Sequence, residues 1–156
     1  MATEIERKFL VINNDYKQQS SPEYYKQGFL STEKSHIVRV RIANDIGYIT
    51  IKGISRGASR SEYEYEIPVK DAAEMLDTLC HKPLIEKYRY KVQFSNHIWE
   101  IDEFLTDNAG LVIAEIELCD ENEAFDMPDW IGEEVTDDAR YYNSNLITNP
   151  FNKWHD

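Results

Sequence analysis

Apolar and polar residues alternate with a period of two along most of this chain, the spacing of strands with one face against a core. In "TEIERKFLV", Glu4, Glu6 and Lys8 share one parity, while Ile5, Phe9 and Val11 take the other. Similar segments predict eight strands, at about 3–12, 25–31, 36–43, 46–53, 60–69, 84–95, 97–105 and 110–118. Turn-forming residues separate several of them: Asn44-Asp45, Gly53 to Gly57, Ser95-Asn96 and Asn108 to Gly110. Helical spacing is rarer. Ala72, Met75, Leu76, Leu79 and Cys80 form an apolar stripe that Asp71 can cap and that should end before Pro83. A short helical turn is expected at Glu121–Phe125, and a third helix after Thr136, with Asp137 and Asp138 in its first turn. No linker or repeat divides the chain, so residues 1–148 read as one domain and 149–156 as an irregular tail.

Residues of one parity share a face of a strand. On that basis the charged face recurs in strand after strand. Arg39 and Arg41 lie in "VRVRI", Lys52 ends "YITIK", and Glu62, Glu64 and Glu66 line "SEYEYEI". Lys87, Arg89 and Lys91 line "EKYRYKV", followed by Glu100 and Asp102 in "WEIDEF" and Glu115 and Glu117 in "AEIEL". The opposite parity is apolar or aromatic. For any single strand a solvated outer face is the ordinary reading.

Taken together, the strands favour an inverted arrangement. Eight antiparallel strands can close into a barrel, which removes their exposed edges. Were the apolar face inside, the amphipathic helix would have nothing to cover. With the charges inside, the apolar outer face is covered by helices. Such an interior is costly unless its charges are paired, hydrated or bound to ions. A polyphosphate together with a divalent metal would satisfy both signs.

Composition narrows the alternatives. Lys and Arg number 17 against 29 Asp and Glu, a net charge of −12, which argues against a long nucleic acid as partner. No apolar run reaches the ~20 residues of a membrane helix, and the N-terminus lacks the pattern of a signal peptide. Cys80 and Cys119 lack metal-ligand spacing and read as reduced thiols, so a cytoplasmic location is expected.

The charged segments also resemble a known family. "EIERKF" is similar to the E-x-E-x-K signature of the CYTH superfamily, the triphosphate tunnel metalloenzymes, which includes class IV adenylyl cyclases and thiamine triphosphatases. "RVR", "TIKG", "EYEYEI", "EKYRY", "WEIDEF", "AEIEL" and "GEEVTDDARYYN" resemble family segments in the same order. "IERKFL" and the short length resemble the compact bacterial triphosphatase branch. One departure is Phe29 in "KQGFLS", where some relatives carry Tyr.

The resemblance implies a mainly β fold, an eight-stranded antiparallel tunnel with helices packed outside. It implies a small-molecule triphosphate substrate and Mg²⁺ or Mn²⁺, as two ions. Carried over by motif, the metal ligands are Glu4, Glu6, Glu100, Asp102, Glu115 and Glu117. Lys8, Arg39, Arg41, Lys52, Lys87 and Arg89 meet the phosphates, and Glu4, Glu6 and Lys52 are assigned to catalysis. Arg140 either reaches the tunnel mouth or caps a helix. The implied reaction is hydrolysis of triphosphate, inorganic or nucleoside, to diphosphate and orthophosphate. A cyclase forming cyclic AMP and a non-catalytic polyphosphate-binding module are the alternatives. Oligomeric state is not encoded in any of these patterns.

Overall fold

The computed structural model describes residues 3–154; the ends of the expected domain (residues 1 and 2) and of the expected tail (155 and 156) lie outside the described residues. Among the described residues nine strands form: β1 (Thr3–Val11), β2 (Glu23–Glu33), β3 (His36–Ala43), β4 (Ile46–Lys52), β5 (Ser59–Ile67), β6 (Ile85–Phe94), β7 (His97–Phe104), β8 (Val112–Glu117) and β9 (Ile131–Glu134). Between β5 and β6 runs α1, Val69–Thr78. The order β5-β4-β3-β2-β6-β7-β8-β1, with β1 also paired to β5, closes a ring of eight antiparallel strands. The closing seam is short: Thr3, Glu4 and Ile5 pair with Ser61, Arg60 and Ser59. Beyond it, the same edge of β1 pairs Phe9 and Val11 with β9.

The alternation sorts the two faces as the inverted arrangement requires, and three apolar clusters result. On the outer face of β1 and β6 to β8, Phe9, Tyr90, Trp99, Ile101, Ala114 and Ile116 are buried. Tyr16 and Trp130 cover them, with Trp99 edge-on to Phe9 at 5.5 Å and to Trp130 at 5.9 Å. A second outer cluster joins Val40 to Ala72, Leu76 and Cys80 beneath α1. Each fully buried Leu or Ile here contributes about 1.5–3 kcal/mol. Two glycines let α1 and the residues that follow it sit close. A Cβ on Gly28 would stand 2.9 Å from Cys80 Cβ, and one on Gly47 2.9 Å from Ala72 Cβ.

The third cluster lies on the inner face. Leu10, Phe29, Ile37, Ile85, Phe104 and Ile113 share the parity of the charged residues on their own strands. They pack against Val135, Tyr141, Leu146 and Ile147, with Phe151 and Trp154 beside them. The C-terminal segment therefore fills one end of the barrel from within, and Asn108 anchors it by accepting the Phe151 N–H at 2.9 Å.

Several expectations change. Helices do not cover the whole outer face: α1 serves only one sector, and the stretches around Tyr16 and from Phe125 to Trp130 cover the rest. Residues 121–125 form a turn without a helix, because Glu123 ties back to the Cys119 N–H and to His97. After Thr136 there are only 3₁₀ turns, Ala139–Tyr141 and Asn143–Asn145, as packing into the barrel end breaks any longer helix. The N-cap of α1 is Pro68, not Asp71. A further 3₁₀ turn, Phe151–Lys153, orders part of the tail. No helix among the described residues is long and apolar enough to cross a membrane.

Candidate active site

A cavity of about 370 Å³ occupies the charged length of the barrel. From β1 come Glu4, Glu6 and Lys8; from β8, Glu115 and Glu117; from β7, Glu100. Arg39 and Arg41 of β3, Lys52 of β4, Arg60 of β5, and Lys87, Arg89 and Lys91 of β6 supply the cations, while Glu62 and Glu64 of β5 add two more carboxylates. Strand alternation alone places them, since direct cross-strand partners share a face.

One side is acidic to excess. Glu6 lies directly opposite Glu117, and Glu100 directly opposite Glu115, pairings that are unfavourable without compensation. Lys8 and Lys52 answer, and Arg89 reaches across to Glu100 Oε2 at 3.4 Å and Glu115 Oε1 at 3.5 Å. Lys8 Nζ lies 3.1 Å from Glu6 Oε1 and also contacts Glu115. Lys52 Nζ lies 3.3 Å from both Glu4 Oε1 and Glu62 Oε2. Burial and then Glu115 push the Glu6 carboxyl up to about 7, against the pull of Lys8. Glu4 is also raised, by burial and by Glu62 despite Lys52. Glu117 is raised by burial and by Glu4 and Glu6. Burial would lift Glu115 as well, but Lys8, Arg89 and Lys87 outweigh it and hold that carboxyl well below its usual range.

The other side is cationic to excess. Arg89 forks onto Asp102, Nε to Oδ1 at 2.7 Å and Nη2 to Oδ2 at 2.9 Å. Lys87 Nζ shares Oδ2 at 2.7 Å. Arg41 has no ion-pair partner among the described residues; its Nε donates to Gln27 Oε1 at 2.9 Å. The guanidinium carbons of Arg41 and Arg89 each stand 4.9 Å from the Tyr25 ring centre. Arg39 Nη2 donates to Thr50 Oγ1 at 3.0 Å, leaving a buried Nε with no partner. Burial lowers Arg41 to about 9, and its neighbours Arg39 and Arg89 add to the effect. Burial, resisted by Asp102, lowers Lys87 to about 7.

Two assigned residues stand apart. Asp102, expected among the metal ligands, does not line the cavity: both its oxygens are taken by Arg89 and Lys87. Those cations overcome burial and hold its carboxyl at about 2, so its place is that of an anchor for cations. Arg140 lies outside the cavity, its side chain 56% exposed, paired with Asp138 at 2.8 Å and stacked 5.2 Å from the Trp154 ring centre. It does not reach the cavity because its exposed side chain is held by Asp138.

A CYTH domain matches residues 2–145. The chain belongs to the CYTH family. It is 58% identical over 151 residues to an inorganic triphosphatase of Acetivibrio thermocellus, covering 97% of each chain. It is 38% identical over 149 residues to an inorganic triphosphatase of Nitrosomonas europaea, covering 92% of this chain and 96% of that one. A crystal structure of an inorganic triphosphatase shares the fold at a TM-score of 0.65 and 33% identity, over 92% of this chain and 96% of that one.

The cavity of this CYTH chain also contains residues with no charge to betray them. Tyr25 follows the alternation of β2, as does the fully buried Gln27 that accepts from Arg41, yet "EYYKQGF" offers no cationic or acidic pair. Asn143 comes from the C-terminal 3₁₀ turn and accepts from Lys87 Nζ at 2.9 Å. Its position depends on the chain returning into the barrel, which no local pattern announces.

Proposed function

We propose that this chain hydrolyses inorganic triphosphate to diphosphate and orthophosphate with the help of a divalent cation, Mg²⁺ or Mn²⁺. The separation of the two excess charges within one cavity carries the reading. Arg39, Arg41, Lys87 and Arg89 line the same cavity. Lys87 and Arg89 are held closely by the buried Asp102, whereas Arg39 reaches Glu64, and Arg89 reaches Glu100 and Glu115, only at 3.4–3.5 Å. Arg41 has no ion-pair partner among the described residues, so a polyanion would supply further negative charge. Burial and the neighbouring carboxylates make Glu4, Glu6 and Glu117 easier to protonate than usual despite Lys8 and Lys52, so a metal ion would supply further positive charge. The similarity to inorganic triphosphatases over nearly the whole chain supports the same substrate.

The donor set fits a hard cation, being all carboxylate oxygen. Among the described residues, no three Asp, Glu, His or Cys side chains form a ready-made metal cage. That suits Mg²⁺, which is commonly held by one or two carboxylates, with phosphate oxygens and water completing its shell. Glu4, Glu6 and Glu117 would hold it, with Glu100 and Glu115 next to them. Once bound, it would neutralise phosphate charge and acidify a coordinated water.

The side chains of this protein then divide the work. Arg39, Arg41 and Arg89 offer donors for the equatorial oxygens, where charge spreads during transfer. Lys8 and Lys52, each between carboxylates, hold the acidic strands at a fixed spacing and face the same space. Lys87 gives up its proton near neutral pH and can exchange one with water or leaving group. One water is consumed; its oxygen ends on the orthophosphate and the cleaved bridge oxygen stays with diphosphate.

The free thiols, Cys80 buried and Cys119 exposed, support a reducing, cytoplasmic setting. Incubation with triphosphate and Mg²⁺ or Mn²⁺ should release one orthophosphate and one diphosphate per substrate, and a chelator should stop it. Absence of turnover with every divalent ion tried would defeat the reading, and cyclic AMP from ATP as the main product would replace it.

A further inference from the structure

Lys87 is held between two acceptors that pull in opposite directions. Asp102 Oδ2, at 2.7 Å, lies behind the cavity wall, whereas Asn143 Oδ1, at 2.9 Å, lines the cavity. The same Asn143 oxygen accepts from Gln27 Nε2 at 3.0 Å, and Gln27 Oε1 accepts from Arg41 Nε at 2.9 Å. The orientation of both amides follows from chemistry, because arginine and protonated lysine carry donors only. An oxygen of Gln27 must face Arg41, its NH₂ must then face Asn143, and the oxygen of Asn143 serves both Gln27 and Lys87. A continuous chain, Arg41–Gln27–Asn143–Lys87, thus joins β3, β2, the C-terminal segment and β6.

Its middle is rigid. Gln27 is 0% exposed. Asn143 opens the turn Asn143–Asn145, which is followed by Leu146, also 0% exposed, in the inner apolar cluster. We propose that Asn143 is a positioning residue, which sets where Lys87 meets the phosphates of the substrate. Without it, the Lys87 ammonium has one strong partner left and collapses onto Asp102, away from the cavity. The inference rests on the triphosphate reading above and gives the C-terminal segment a part in that site.

Calorimetric titration with inorganic triphosphate in the absence of metal tests it in a double-mutant cycle of Asn143→Ala and Lys87→Met. Asn143→Ala should weaken binding about 10-fold in the wild-type background and less than about 2-fold once Lys87 is Met. An equal loss in both backgrounds, or no loss in the first, would overturn the positioning role while leaving the triphosphate reading intact. Wild-type protein that neither binds nor hydrolyses triphosphate would overturn both. Asn143→Ser, which keeps a polar group on the turn but cannot span both donors, runs through the same cycle should the alanine variant fail to fold. Its melting temperature shows that any loss of binding comes from folded protein.

Discussion

Glu6 and Glu117 are cross-strand partners of like charge, and a sequence keeps such a pair only where something else profits from it. Glu117→Gln removes one charge with little change of shape. The variant should lose metal-dependent turnover by more than the roughly 10–100-fold typical of outer-shell changes. Its metal-free form should melt higher than wild type at about pH 8, since the repulsion with Glu6 is gone. Full activity would remove Glu117 from the proposed metal set. Arg41 presents the converse case, a buried cation lacking an anionic partner among the described residues. Arg41→Ala should cost roughly 1.5–3 kcal/mol of substrate binding, about 10- to 150-fold in KM. An unchanged KM and kcat would show that the phosphates never reach it.

At the level of elements, β1 and the C-terminal segment decide the site between them. The strand brings Glu4, Glu6 and Lys8, and the segment closes the inner face with Leu146 at its centre. Leu146→Ala should destabilise the protein by about 2–5 kcal/mol in urea denaturation, because the barrel wall cannot collapse onto the space left. A loss below about 1 kcal/mol would show the segment to be loosely seated. Eight strands and the sidedness of their charges were legible because a period of two is a local signal that each strand repeats. β9 was not, being four residues long and paired only with the far end of β1. The failure of the third helix has the same origin: "TDDARYYN" carries a helix-start signal, but burying Tyr141 and Leu146 inside the barrel overrides it. Asp102 misled for a subtler reason. Parity puts it on the inner face with Glu100, and only the three-dimensional fork of Arg89 and Lys87 shows that its oxygens are already engaged.

Across the whole molecule the two unbalanced poles set how stability responds to pH. Glu6 takes up a proton at about 7 in the folded state against an ordinary 4.5, so the metal-free protein gains stability as pH falls through that interval. Lys87 has the opposite slope higher up, since its cost develops as pH falls from 10.5 to about 7. Asp102, at about 2 against 3.8, contributes stability above 3.8 that is lost as pH falls towards 2. Melting curves in chelator should therefore show a shallow minimum near neutrality, a rise towards pH 4.5 and a fall below 3.8. A monotonic profile would contradict the burial of these charges. Mg²⁺ or Mn²⁺ at neutral pH should lift the minimum, by about 2.7 kcal/mol at a hundredfold excess over Kd. No shift with either ion would dissociate the acidic pole from cation binding. The shortness of the β1–β5 seam bears on assembly. β1 is synthesised first, yet its partners are β5, β8 and β9, the last ending at Glu134. Closure must wait until β8 and β9 have left the ribosome, so amide protection of β1 should stay incomplete on nascent chains that lack them.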